Sequence, residues 1–199
     1  MALARAHLSS PTGRSASWRD LASACQVSVS TMNHYFSSRG ELVAAIIRHA
    51  EQEGAPYLVT ASTPSGDFSA SIGDLVTMLS RGFEHGVLPL QVIGLAEGFA
   101  DKQIGEAYLG HHLEPLLSAI AARLEAHMDA GDMRCTNARF AAIQLLSPLL
   151  VAHLHQNALG GNDTYPMSIS DFIEQHAQAF FRGYAEDRVG ASAGGSSCG

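Results

Sequence analysis

The residues best suited to chemistry lie close together near the N-terminus. Between Ser28 and Tyr35 the chain carries Val29, Ser30, Thr31, Asn33 and His34, positions that a short helix would expose, and no carboxylate stands among them. Short hydroxyl, amide and imidazole tips suit hydrogen bonding to base edges in a major groove, and the absence of acids spares neighbouring phosphates repulsion. Ser28 is placed to open that helix, so free N–H groups and the positive dipole end would point outward, where they favour an anion such as phosphate.

Metal chemistry is the second reading to weigh, because the chain holds ten histidines. The clusters are His111-His112 and His153-x-His155. Adjacent helical residues diverge by about 100°, and residues two apart do not face each other either. Neither His-Glu-x-x-His nor Glu-x-x-His occurs, so surface or interface histidines are expected and no metal site. The cysteines are Cys25, Cys135 and Cys198. An odd number without Cys-x-x-Cys spacing argues against a zinc finger or a disulfide framework and for a reducing, cytoplasmic setting. There is no glycine-rich phosphate loop and no Gly-x-Ser-x-Gly elbow. The expectation is a non-enzyme with no catalytic residue and no cofactor.

Net charge is −7 over 199 residues, but its distribution is uneven. Residues 1–50 hold five arginines against Asp20 and Glu41, a net +3, and the remainder carries −10. A basic head on an acidic body fits a protein that meets phosphate with one end. The opening residues form no signal-peptide pattern. The longest apolar stretch, Phe140 to Leu154, is too short to span a bilayer and contains Pro148 and His153, so no membrane association is expected.

The elements that must position these groups read as helices throughout. A short helix is predicted from about Leu3 to Leu8. Ser17-Trp18-Arg19-Asp20 has capping-box spacing and opens a second through Cys25, with Cys25 on its core face. Ser28 caps a third to about Phe36, and a fourth begins near Ser38 with Leu42, Val43, Ile46 and Ile47 on one face. Residues 53–66 read as irregular, punctuated by Gly54, Pro56, Pro64 and Gly66. Helices follow over about Asp67–His85, Leu88–Phe99 with a stripe of Leu88, Val92, Leu95 and Phe99, and Ile104–Met128. Asn137 caps an apolar helix to Gln156, Gly160-Gly161-Asn162-Asp163 reads as a loop, and the last helix runs from about Ser168 to Tyr184. The fold class is therefore all-α: a three-helix head over residues 1–50, a larger helical body over 51–188 and a disordered Gly/Ser-rich tail over 189–199.

Trp18-Arg19-Asp20-Leu21-Ala22, Val27-Ser28-x-x-Thr31-Met32-x-His34-Tyr35-Phe36 and Ser38-Arg39-x-Glu41-Leu42 together resemble the helix-turn-helix DNA-binding domain of the TetR family of transcriptional regulators. The match covers about 26 residues in motif, order and spacing. The resemblance implies that Ser17 and Thr31 hold backbone phosphates, that His34 and Tyr35 lie at the groove edge, and that Arg39, at a position usually lysine, clamps phosphate. It places Val29, Ser30 and Asn33 toward bases, and an Asn can pair bidentately with adenine. Three positions depart from the family pattern. Gln26 stands where glycine is common and is expected to carry positive φ. Ser30 often aligns with glycine or alanine, and Asn33 replaces a usual tyrosine.

For the body, the Asn137–Gln156 helix is apolar on nearly all sides, which calls for a core on one face and a partner on the other. With the last helix it would form a homodimer interface including Leu149, Leu150, His153, Phe172 and Phe180, matching two-fold reading of a pseudo-palindromic operator on double-stranded DNA. The family resemblance also implies a cavity for a small-molecule effector. Met78, Phe83, Leu95, Phe99, Tyr108, His112 and Leu116, apolar with two polar tips, are its expected lining. The reading is a ligand-responsive repressor that leaves its operator when the effector binds. The other class the pattern admits is a helical dimeric small-molecule or protein-binding module without DNA binding.

Overall fold

A computed structural model describes residues 1–10, 13 and 16–186. The expected tail over 189–199 lies outside the described residues. All regular elements described are helical, and the chain divides into two compact units. Of the described residues, those within 1–56 and 86–115 form one, and 57–85 and 116–186 form the other. The units thus do not follow the 50/51 boundary: a segment of the expected body, 86–115, packs with the head.

In the first unit, α1 (Ala2–Leu8), α2 (Trp18–Ala24), α3 (Val29–Tyr35) and the start of α4 (Arg39–Ser62) pack with α6 (Leu88–Gly98) and α7 (Lys102–Tyr108). Their shared core holds Leu8, Leu21, Met32, Leu42, Ile46, Ile47, Ile93 and Ile104. The i, i+3, i+4 face expected of Leu42, Val43, Ile46 and Ile47 is fully buried, as that spacing requires. The stripe expected for α6 is not the one used. Leu88 is buried, but the other inward positions are Leu90, Gln91, Ile93 and Gly94, while Phe99 is 88 % exposed. The cause is close approach of α7. A Cβ on Gly98 would lie 3.1 Å from the Gly105 Cα, and one on Gly94 would lie 2.1 Å from the Tyr108 ring. Small residues face inward because they admit a neighbouring helix, a preference that hydrophobic periodicity does not register.

The second unit is built on α5 (Phe68–Gly82), α8 (Glu114–Asp129), α9 (Ala138–His153) and α11 (Ile169–Tyr184), with α5 packed on both α9 and α11. The expected α5 face of Ile72, Leu75, Val76, Leu79 and Phe83 is buried. Asp67, Asn137 and Ser168 each accept a backbone N–H in the first turn of the helix they open. Two π-helical turns, Phe83–Val87 and Leu109–Leu113, join α5 to α6 and α7 to α8, and a third, Leu154–Ala158, ends α9. The helix expected over Ile104–Met128 is accordingly α7, a π turn and α8.

Two segments correct the sequence reading. Residues 53–62 are helical, since α4 runs through Gly54 and Pro56 to Ser62. A proline costs one N–H bond and crowds the carbonyl four residues back, but here the far end of the helix is held by another element. Arg123 of α8 donates from Nε to the Ala61 carbonyl at 2.8 Å and from Nη2 to the Thr60 carbonyl at 2.6 Å. A cation on the last carbonyls also complements the helix dipole. The expected loop at 160–163 contains a single helical turn, α10 (Gly161–Thr164), entered through Gly160 at φ +79°.

Candidate nucleic-acid interface

The site is built from α2, a tight turn and α3. Ser17 accepts the Asp20 N–H, and the Asp20 carboxylate accepts from both the backbone N–H and the hydroxyl of Ser17, which completes the capping box. Those bonds from Ser17 hold the Asp20 carboxyl below its ordinary pKa. The turn follows with Gln26 at φ 58° and the Val27 N–H on the Ala22 carbonyl at 3.0 Å. Gln26 therefore sits in the left-handed region, as its place at a usual glycine implies.

Ser28 opens α3, its hydroxyl accepting the Thr31 N–H at 2.9 Å and lying 2.8 Å from the Thr31 hydroxyl. Met32 is buried beneath, and Val29 and Phe36 pack against the same core. Ser30, Thr31, Asn33, His34 and Tyr35 are left exposed, with Tyr35 at 69 % and its ring edge-on to His34 at 5.2 Å. The result is a polar, acid-free helix face seated on an apolar underside, the form a reading helix needs. Val29 stands apart from the other residues assigned to bases, since it is half-buried.

Arg39 and Asn33 have partners that the sequence reading did not supply. The Arg39 fork grips Glu97 of α6 at 2.8 and 2.9 Å and also donates to the Ala16 carbonyl at 2.8 Å. Glu97 and Ala16 therefore compete with a phosphate for the Arg39 guanidinium. Asn33 Oδ1 accepts the Trp18 indole N–H at 2.6 Å. Neither Glu97 nor Trp18 is among the site residues expected from the sequence, although Trp18 opens the family-like motif. For Trp18 a signal existed, an indole donor directly after an N-cap; for Glu97, 58 residues from Arg39, there was none.

The expected effector residues fall in both units. In the first, the buried Tyr108 hydroxyl donates to the Gln91 amide oxygen, and Gln91 Nε2 lies 2.9 Å from His112 Nε2. Burial, assisted by Arg5, pushes the His112 pKa down to about 4, and burial raises that of Tyr108 to about 12. His112 is thus neutral and can accept from the amide. Leu95 is half-buried against this core, whereas the exposed Phe99 lines no interior. In the second unit Phe83 packs on His153 with ring centres 5.1 Å apart, Leu116 is half-buried, and Met78 lines an open cleft of about 510 Å³ with Thr60, Ser65, Asp74 and Arg123.

Of the expected dimer residues, Leu149, His153 and Phe180 lie in the interior of their own unit, and His153 is bonded to Ser80 at 2.8 Å. Leu150 and Phe172 are half-buried. The paired histidines diverge: His111 meets Glu51 while His112 meets Gln91. Among the described residues no three metal-ligating side chains converge, and no helix is long and apolar enough to cross a membrane.

An all-α chain with a capped helix-turn-helix presenting a polar face has the architecture of the helix-turn-helix class of DNA-binding domains. Residues 75–186 match the family model of the AefR-like transcriptional repressor, C-terminal domain. The chain belongs to the TetR family of transcriptional regulators and is a DNA-binding transcriptional regulator. No curated protein matches it. Three solved structures share its fold. A TetR-family transcriptional regulator from Mesorhizobium loti aligns with TM-score 0.75 at 15 % identity over 93 % of this chain and 94 % of its own. GusR from Salmonella enterica aligns with TM-score 0.67 at 17 % identity, over 91 % and 92 %. A TetR regulator from Agrobacterium tumefaciens aligns with TM-score 0.59 at 21 % identity, over 94 % and 93 %.

Proposed function

We propose that the protein is a cytoplasmic homodimeric repressor that occupies a pseudo-palindromic operator through α3 and releases it when a small molecule binds the helical body. It acts by occupancy, without turnover. The observation that carries the DNA role is the α3 face itself: Ser30, Thr31, Asn33, His34 and Tyr35 exposed together over a buried Met32. Thr31 and Tyr35 serve phosphates, Ser30 and Asn33 serve bases, and His34 stands between. Ser17 contributes through the capping box, since its hydroxyl is engaged by Asp20. Arg39 braces the head through Glu97, whose carboxylate competes with phosphate for the guanidinium.

Support for the dimer comes from α9. Phe140 is 62 % exposed, Ile143 38 % and Val151 63 %, and with Ser147 they repeat every three or four residues. That stripe, flanked by Leu150, is an apolar face left uncovered among the described residues. A second copy covering it would give the assembly two α3 helices, one for each half-site of a two-fold operator.

The test is a gel-shift titration of the full chain with DNA upstream of its own gene. Thr31→Ala combined with Tyr35→Phe is expected to weaken binding about tenfold or more and to flatten its salt dependence. Unchanged affinity at every salt concentration would remove α3 from the interface.

A further inference from the structure

On the α3 face, the hydrogen-bonding polarity of Asn33 is set by a neighbour. Trp18 is the first residue of α2, and its indole N–H meets the Asn33 side chain at 2.6 Å. An indole nitrogen can only donate, so the amide atom it meets must be the oxygen. That removes the usual ambiguity between the two ends of an asparagine side chain. The carbonyl is turned toward α2, and the NH2 group is the end left to meet a ligand. Asn33 is exposed and lies three residues from Ser30, on the same side of the helix.

This polarity bears on what the residue can read. Bidentate pairing with adenine needs the amide oxygen to accept from N6 while the NH2 donates to N7. Here the oxygen would have to accept twice, with the indole ring already against it. Guanine offers two acceptors, N7 and O6, and no donor on that edge, so it asks only for the NH2 group. We infer that Trp18 orients Asn33 as a hydrogen-bond donor, and that Asn33 selects guanine in each operator half-site. Trp18 is the positioning residue; Asn33 makes the contact. The inference rests on α3 being the reading helix and adds the base class that one of its side chains takes.

Selection from randomised duplex DNA by the full chain tests this. The wild type is expected to enrich a guanine in each half-site that Asn33→Ala leaves unspecified. Replacing that guanine by 7-deazaguanine is expected to weaken the wild type roughly tenfold and Asn33→Ala little. Trp18→Phe keeps an aromatic ring without the donor and is expected to move the preference at that position toward adenine. Thermal melting of each variant shows whether it folds; if Trp18→Phe does not, the 7-deazaguanine comparison decides. An identical guanine preference in folded Asn33→Ala or Trp18→Phe overturns the assignment. So does adenine at that position in the wild type, or a loss in Asn33→Ala that is equal for all sequences, which marks a phosphate contact. Enrichment unchanged by Asn33→Ala sinks only this inference, whereas no enrichment by the wild type removes the reading helix as well.

Discussion

Arg123 offers the sharpest perturbation in the helical body. The residue is 2 % exposed, yet no carboxylate lies in ion-pair range among the described residues. Its hydrogen bonds go to dipoles, the carbonyls of Thr60 and Ala61 at the end of α4 and the carbonyl and hydroxyl of Ser71 at 3.0 and 2.9 Å, and the Asp74 carboxylate favours the charge from beyond ion-pair distance. Arg123→Met keeps most of the buried hydrocarbon and removes every donor. The Ser71 carbonyl keeps its place in the helix ladder of α5, and the Thr60 carbonyl keeps the Thr63 N–H at 3.3 Å. Ala61, in the last turn and fully buried, loses its carbonyl's partner. Orphaning a buried acceptor costs about 1–3 kcal/mol, and losing charged hydrogen bonds to the others adds roughly 1–2 kcal/mol, so the variant should lose about 3 kcal/mol. For a chain of this length that is a fall of roughly 6–12 °C in melting temperature. Arg123→Lys retains the charge but not the fork and should fall between the two. Melting curves followed by circular dichroism decide it. A midpoint for Arg123→Met within about 2 °C of the wild type would show that α4 ends where it does without help from α8, and would refute the account of how the helix survives Pro56.

Three other outcomes are expected. Gln26→Gly should stabilise the head by up to about 1 kcal/mol, because left-handed backbone costs an L-residue about 1–2 kcal/mol and glycine returns part of that in entropy; a lower melting temperature would contradict it. His112, held down to about 4 against an ordinary 6.5, stays neutral in the folded chain while the unfolded chain protonates, so its contribution is whole above pH 6.5 and drains away as pH falls toward 4. The full loss is about 3 kcal/mol. His112→Gln should therefore show a smaller stability difference between pH 7.5 and 4.5 in urea melts than the wild type, and an equal difference would remove His112 as its source. Val151→Glu places a charge on the exposed stripe of α9 and should yield monomers by sedimentation at micromolar concentration; an unaffected dimer would move the interface elsewhere.

The local chemistry of the head was readable without coordinates. Ser17 with Asp20, and Ser28 with Thr31, are short-range pairs whose bonds follow from backbone geometry one turn away. Gln26 at positive φ follows from the turn it occupies. The apolar faces of α4 and α5 follow from the helical period, because each core position repeats within its own segment. Tertiary contact decided the rest. Arg123 reaches across 62 residues to hold α4 past a proline, so the irregular segment expected at 53–66 gave way to helix. Gly94, Gly98 and Gly105 let α7 come close, so α6 turned Phe99 outward. Glu97 took the Arg39 fork, and Trp18 took the Asn33 oxygen. Residue types and spacing specify which atoms can donate or accept and which face of a helix is apolar. They do not specify which distant atom arrives first, and the polarity that Asn33 presents depends on that arrival.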